Sequence, residues 1–180
     1  MSGQTRRTIT VFGASRVGPD SAEYQLGYEL GQLLGDAGFS VCNGGSDGTM
    51  EAVAKGIRET GGRSLGVLVE SIDGARPNAY IDDVVRTEGL LDRLKRLVAL
   101  GEAYIVLPGG IGTLLELVLV WNLAQTREHD KPIILVGDSW RQAINGLRDH
   151  ILLREGDLTC LIHVDSAAAA VDYLRKHLGS

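Results

Sequence analysis

Two kinds of apolar pattern alternate along the chain. Short, mostly continuous apolar runs occupy Thr8–Phe12, Phe39–Cys42, Ser64–Val69, Val84–Arg86, Ala103–Leu107, Pro132–Val136 and Cys160–Val164. Runs of that length, apolar throughout rather than at every second position, suit strands covered on both faces. Between them lie longer segments whose apolar residues recur every three or four positions. These predict helices over Ser21–Asp36, Thr49–Thr60, Leu90–Leu100, Thr113–Ala124, Trp140–Leu152 and Ser166–Leu178. In the first, Leu26, Leu30, Leu33 and Leu34 fit one face, Pro19 with Asp20 or Ser21 marks the start, and Gly38 marks the end. Gly61-Gly62 closes the second. Glu70–Ala79, with Gly74 and Pro77, reads as a loop, and residues 1–7 as a short tail before the first strand.

Strands alternating with helices of ten or more residues require right-handed crossovers and parallel pairing. The expected fold is therefore α/β: a Rossmann-like, doubly wound, mostly parallel sheet of about seven strands with helices on both faces. An eight-fold barrel needs ~250 residues, and the chain has 180. No internal repeat or linker interrupts the pattern, so a single domain is expected.

Composition narrows the picture. With 44% hydrophobic residues the chain buries a core and is not disordered. No run of 18 apolar residues predicts a membrane span. A net charge of -5 argues against nucleic-acid binding. Cys42 and Cys160 lie far apart, without zinc spacing, and read as reduced thiols; with no apolar leader, this makes the expected location cytoplasmic. The four histidines are scattered and form no metal-like set, so no metal is expected.

Glycine is the outlier: 24 residues, roughly twice the ordinary share. Three clusters follow strands directly: Gly13-Ala-Ser15-Arg16-Val-Gly18, Gly44-Gly45-Ser-Asp-Gly48 and Pro108-Gly109-Gly110-Ile-Gly112-Thr113. In a parallel sheet those loops share one edge, where ligands bind at the switch point. Glycine lets backbone N–H groups approach a ligand, and a helix N-terminus adds partial positive charge. The combination predicts a phosphate site. The GxxxxGK[ST] loop is absent, and the first loop lacks GxGxxG spacing. Asn43 stands where a ribose-binding acid would end the second strand, which disfavours a dinucleotide oxidoreductase. Thr113 is placed to cap its helix or to meet a phosphate, and Glu116 lies three residues on, at capping-box spacing.

With Pro108–Glu116 reading PGGxGTxxE, the chain resembles the LOG family, cytokinin riboside 5'-monophosphate phosphoribohydrolases, also labelled "possible lysine decarboxylases". Asn43–Glu51 and Val11–Ser15 are similar to two further segments of that family. The resemblance implies hydrolysis of the N-glycosidic bond of a nucleoside 5'-monophosphate, of cytokinin riboside or purine type. The products would be free base and ribose 5-phosphate, with no cofactor. It implies Arg93 and Glu116 as the catalytic pair. It implies substrate contacts at Gly13, Ser15, Gly44, Gly45, Gly109, Gly110, Gly112 and Thr113, with Asn122 in place of a family threonine. It also implies a homodimer, to which the apolar run around Leu117, Leu119, Val120 and Trp121 would contribute. Of the family's MHxRK segment only Arg93 remains, in Leu90-Leu91-Asp92-Arg93-Leu94. The chain is also similar to molybdenum-cofactor carrier proteins, which implies the alternative of a non-catalytic phosphate-ligand binding protein or nucleotide sensor.

The chemistry is consistent with these residues. N-ribosidic cleavage builds positive charge on the ribose ring, which a carboxylate stabilises, or the carboxylate orients the attacking water. Arginine holds phosphate or a ribose oxygen in fixed geometry. Taken alone, Asp92-Arg93-Leu94-Lys95-Arg96 reads as a solvated charged face, and Arg16 as a second phosphate candidate.

Overall fold

The computed structural model describes residues 6–70, 76–154 and 156–179. Most of the predicted tail and the middle of the Glu70–Ala79 loop lie outside them. Among the described residues, seven strands and six helices follow one another, alternating except where β4 succeeds β3: β1 Thr8–Phe12, α1 Ala22–Asp36, β2 Ser40–Asn43, α2 Thr49–Glu59, β3 Ser64–Val69, β4 Asp83–Thr87, α3 Leu90–Leu100, β5 Ala103–Val106, α4 Ile111–Gln125, β6 Ile133–Val136, α5 Asp138–His150, β7 Leu161–Val164 and α6 Ala167–Leu178.

All six strand pairings are parallel, in the order β4-β3-β2-β1-β5-β6-β7. The chain winds outward from β1 to β4, then returns to pair β5 with β1, Ile9 opposite Ala103 and Phe12 opposite Val106. The switch point therefore lies between β1 and β5. The fold is the Rossmann-like α/β arrangement expected. One core packs α1, α2 and α6 on one face of the sheet, through Leu30, Leu34, Val53, Ile57 and Leu174. The other packs α3, α4 and α5 through Leu97, Leu117, Trp121 and Ile144. Truncating any of the fully buried leucines to alanine costs about 2–5 kcal/mol.

The leucine stripe of α1 is only part of its buried face. Gly27, Gly31 and Gly35 are buried one turn apart and lie against α2. A Cβ at Gly31 would run into the Val53 carbonyl, and one at Gly56 of α2 into the Tyr28 carbonyl. The two backbones thus meet without side chains between them. At the start of α1, Ser21 accepts a hydrogen bond from the Tyr24 N–H at 3.2 Å, the N-cap expected there.

Two helix starts differ from the sequence reading. α4 begins at Ile111, with Gly110 as N-cap and no side-chain cap. Thr113 is thus the third helical residue, buried, and neither caps α4 nor forms a capping box with Glu116. α5 begins at Asp138 and ends at His150, two residues earlier at each end than expected.

Candidate functional site

Three loops leave adjacent strands at the carboxyl edge of the sheet: after β2, β1 and β5. Backbone and side-chain bonds tie the first two together. The Thr49 N–H and hydroxyl both donate to the Ala14 carbonyl, each at 2.8 Å. Gly48, the N-cap of α2, has φ +72°, and a Cβ there would strike the Ala14–Ser15 backbone. Buried Asn43 accepts from the Gly45 N–H at 2.8 Å and donates to the Met50 carbonyl at 3.0 Å.

Asn78, which sequence reasoning did not single out, completes the loop after β2. Its backbone N–H donates to Gly45 O at 2.9 Å, and its side-chain amide donates to Ser46 O at 2.8 Å and Gly45 O at 3.3 Å. Its side-chain oxygen accepts from the Tyr80 N–H at 3.1 Å, an Asx turn. The Pro77-Asn78 pair in an otherwise uninformative loop was the only local signal.

Arg93 leaves α3 toward the site, not toward solvent. Its Nε donates to Val67 O at 3.0 Å, within β3, and its Nη2 to Gly44 O at 3.2 Å, just past the end of β2. Its neighbours Lys95 and Arg96 are exposed, so the charged run divides between site and solvent. Glu116, on the first turns of α4, opens on the same cavity of about 560 Å3. Burial raises its pKa to about 7, and the positive charge of Arg93 pulls the other way. Of these two opposing effects on the Glu116 carboxyl, burial is the larger.

Gly13, Ser15, Gly110, Gly112 and Thr113 line this cavity with Arg93 and Glu116, as do Arg16 and Met50. Gly44 lies against the Arg93 guanidinium and Gly45, with φ +69°, against Leu68; neither lines the cavity. Gly109 faces an adjoining cleft. Asn122 is not brought to the site; it lines a separate groove with Leu114, Val118 and Trp121. Among the described residues, no group of three or more His, Cys, Asp or Glu side chains is placed to hold a metal ion. Nor is any described helix long and apolar enough to cross a membrane.

A parallel doubly wound sheet with a glycine-lined cleft at its switch point defines a Rossmann-like α/β protein. Within that class, the chain belongs to the family described as "Possible lysine decarboxylase", which it matches over residues 50–174, in agreement with the LOG-family resemblance of its motifs. It is 33% identical over 175 residues to the cytokinin riboside 5'-monophosphate phosphoribohydrolase of Mycobacterium tuberculosis, covering 91% of each chain. It is 34% identical over 151 residues to the probable cytokinin riboside 5'-monophosphate phosphoribohydrolase LOGL5 of Oryza sativa, covering 81% of this chain and 58% of that one. The solved structure of the molybdenum cofactor binding protein from Rippkaea orientalis has the same fold, with a TM-score of 0.78 at 21% identity over 96% of this chain and 98% of that one.

Proposed function

We propose that the protein hydrolyses the N-glycosidic bond of a nucleoside 5'-monophosphate of cytokinin riboside or purine type, releasing free base and ribose 5-phosphate. The observation that carries the reading is the pairing of Glu116, raised to about 7, with Arg93 in the cavity that the start of α4 also lines. The 5'-phosphate rests on the N–H groups at Gly110–Thr113, where the helix dipole favours an anion. Arg93, anchored by two carbonyls, offers its remaining N–H groups to phosphate or ribose oxygens. Ionised Glu116 faces C1' and takes a proton from the attacking water. The C1'–N bond breaks as the C1'–O bond forms, and the base leaves with the electron pair of that bond and picks up a proton from solvent. Glu116 returns its own proton to solvent, so that one water is consumed and the carboxylate is restored. A base with a pKa near the working pH suits this transfer. The names of the curated relatives in Mycobacterium tuberculosis and Oryza sativa support the same chemistry.

The test is incubation with a panel of nucleoside 5'-monophosphates, including isopentenyladenosine monophosphate, followed by detection of free base. Release from wild type and not from Glu116→Gln supports the reading. Tight binding without release supports a carrier instead. The observation behind that second reading is the MHxRK segment, of which only Arg93 remains, with Leu90, Leu91 and Leu94 at its other named positions. We further propose that the protein is cytoplasmic and a homodimer, joined through the outward face of α4, where Leu115 and Val118 are each 43% exposed.

A further inference from the structure

Beside the cavity of Arg93 and Glu116 lies a second cleft, of about 360 Å3. Ala14 lines both, and Gly109 of the second is the chain neighbour of Gly110 of the first. The crest between them is formed by the loops after β1 and β5. That crest is the switch point, and it is where the phosphate rests on the reading above. A phosphate held there faces two clefts, and a nucleoside monophosphate occupies only one of them.

The walls of the second cleft define what it accepts. Trp140 is 5% exposed, and its indole N–H donates to the Leu107 carbonyl at 3.0 Å, so its ring is a fixed surface. Val17, Pro108 and Ala143 add further apolar wall. The polar side chains are those of Glu23 and Ser139, and no lysine or arginine lines the cleft among the described residues. A terminal phosphate would meet the Glu23 carboxylate with no cation beside it. Hydroxyl groups would donate to that carboxylate, over apolar ring contacts. Such hydrogen bonds to a charged acceptor are stronger than those between neutral groups.

We propose that the second cleft is a subsite for an uncharged, hydroxylated group joined to the nucleotide through its phosphate. The complete site then accepts ribosyl conjugates of the ADP-ribose type in addition to monophosphates, with the bridging diphosphate kept on the crest and only the neutral ribose entering the second cleft. This inference rests on the phosphate position of the preceding reading, but not on hydrolysis.

Calorimetric titration with AMP, ADP and ADP-ribose tests it. ADP-ribose should bind about tenfold more tightly than AMP, the worth of one charge-assisted hydrogen bond, while ADP gains nothing over AMP. Ala143→Phe, at an exposed position of α5, should fill the cleft and bring the ADP-ribose to AMP affinity ratio to about one. Glu23→Ala should lower the same ratio without adding bulk. The inference is overturned if ADP-ribose binds no better than AMP, if ADP shares the gain, if the ratio survives both substitutions, or if none of the three binds. Failure of the hydrolytic reading would look different: no base released from AMP, with these affinity ratios intact.

Discussion

Arg93 and Gly44 occupy one space. The guanidinium donates to the Gly44 carbonyl at 3.2 Å, and a Cβ on residue 44 would fall inside that guanidinium. The missing side chain is what lets an arginine from α3 lie across β3 and the end of β2. Gly44→Ala should therefore displace Arg93 without disturbing the core. Displacements near 1 Å cost up to ~100-fold in turnover. Steady-state kinetics beside thermal melts would show it: a large fall in kcat with a nearly unchanged Tm. Full activity in this variant would remove Arg93 from the reaction.

Glu116→Gln retains shape and loses the charge and the proton acceptor. Base release should fall by at least ~100-fold, the scale of a lost general base or charge stabiliser, while ligand binding by calorimetry persists. Arg93→Ala should lose turnover to a similar degree and binding as well, since a guanidinium both orients and neutralises. Arg93→Lys should not rescue it, because an ammonium cannot reach two carbonyls and a ligand in the same geometry.

The pH profile follows from burial. Glu116 is shifted from its ordinary 4.5 to about 7. Working as the ionised base, it predicts kcat/KM rising with unit slope up to about pH 7 and level above it. A profile flat from pH 6 to 8 would rule out this role. Stability carries the opposite sign. A carboxyl whose pKa is raised by folding holds its proton in the native state after the unfolded chain has lost it. Its contribution is intact below pH 4.5 and is lost as pH rises through 7. The Tm of Glu116→Gln should match wild type in acid and exceed it above neutrality.

Asn78→Ala removes the side-chain donor to the Gly45 and Ser46 carbonyls. Leaving such groups unpaired costs about 1–3 kcal/mol, readable as a lower Tm. The loop it steadies also carries the Gly44 carbonyl that anchors Arg93, so kcat should fall with it. Asn78→Asp, which keeps the acceptor for Tyr80 but not the donors, should behave like the alanine variant. If it instead resembles wild type, the donors are not what holds the loop.

A charge on the outward face of α4 tests the dimer. Val118→Asp, at a 43% exposed site, should convert a dimer to monomer in sedimentation velocity with the fold retained. An unchanged sedimentation coefficient would place the contact elsewhere.

Most strands were legible because they are apolar runs closed by glycine or a polar turn; β1 and β3 fall where the pattern puts them, while edge strand β4, Asp83–Thr87, is largely exposed and showed only as Val84–Arg86. The start of α4 was not. Gly110 and Gly112 look like loop, yet one caps the helix and the other lies in its first turn. Arg93 was legible only through the motif, since its local neighbours form a charged run. What turns it inward is a carbonyl 49 residues away in sequence. Asn122 followed the motif onto the wrong surface. Six residues beyond Glu116 is about 240° around a helix, so the two cannot share a face. Strand order and the α1–α2 contact depend on pairings that no local pattern encodes.

The glycine seam between α1 and α2 has a mechanical consequence. Backbones in direct contact leave no side chains to repack, so neither helix can slide or tilt without a clash. The loop before α1 and the loop before α2 are further stitched by Thr49 on Ala14. Those two rims therefore move as one rigid jaw. The opposing rim enters α4 at Gly110 with no side-chain cap, and its Ile111 is 83% exposed. Any widening that admits a larger ligand comes from that side alone.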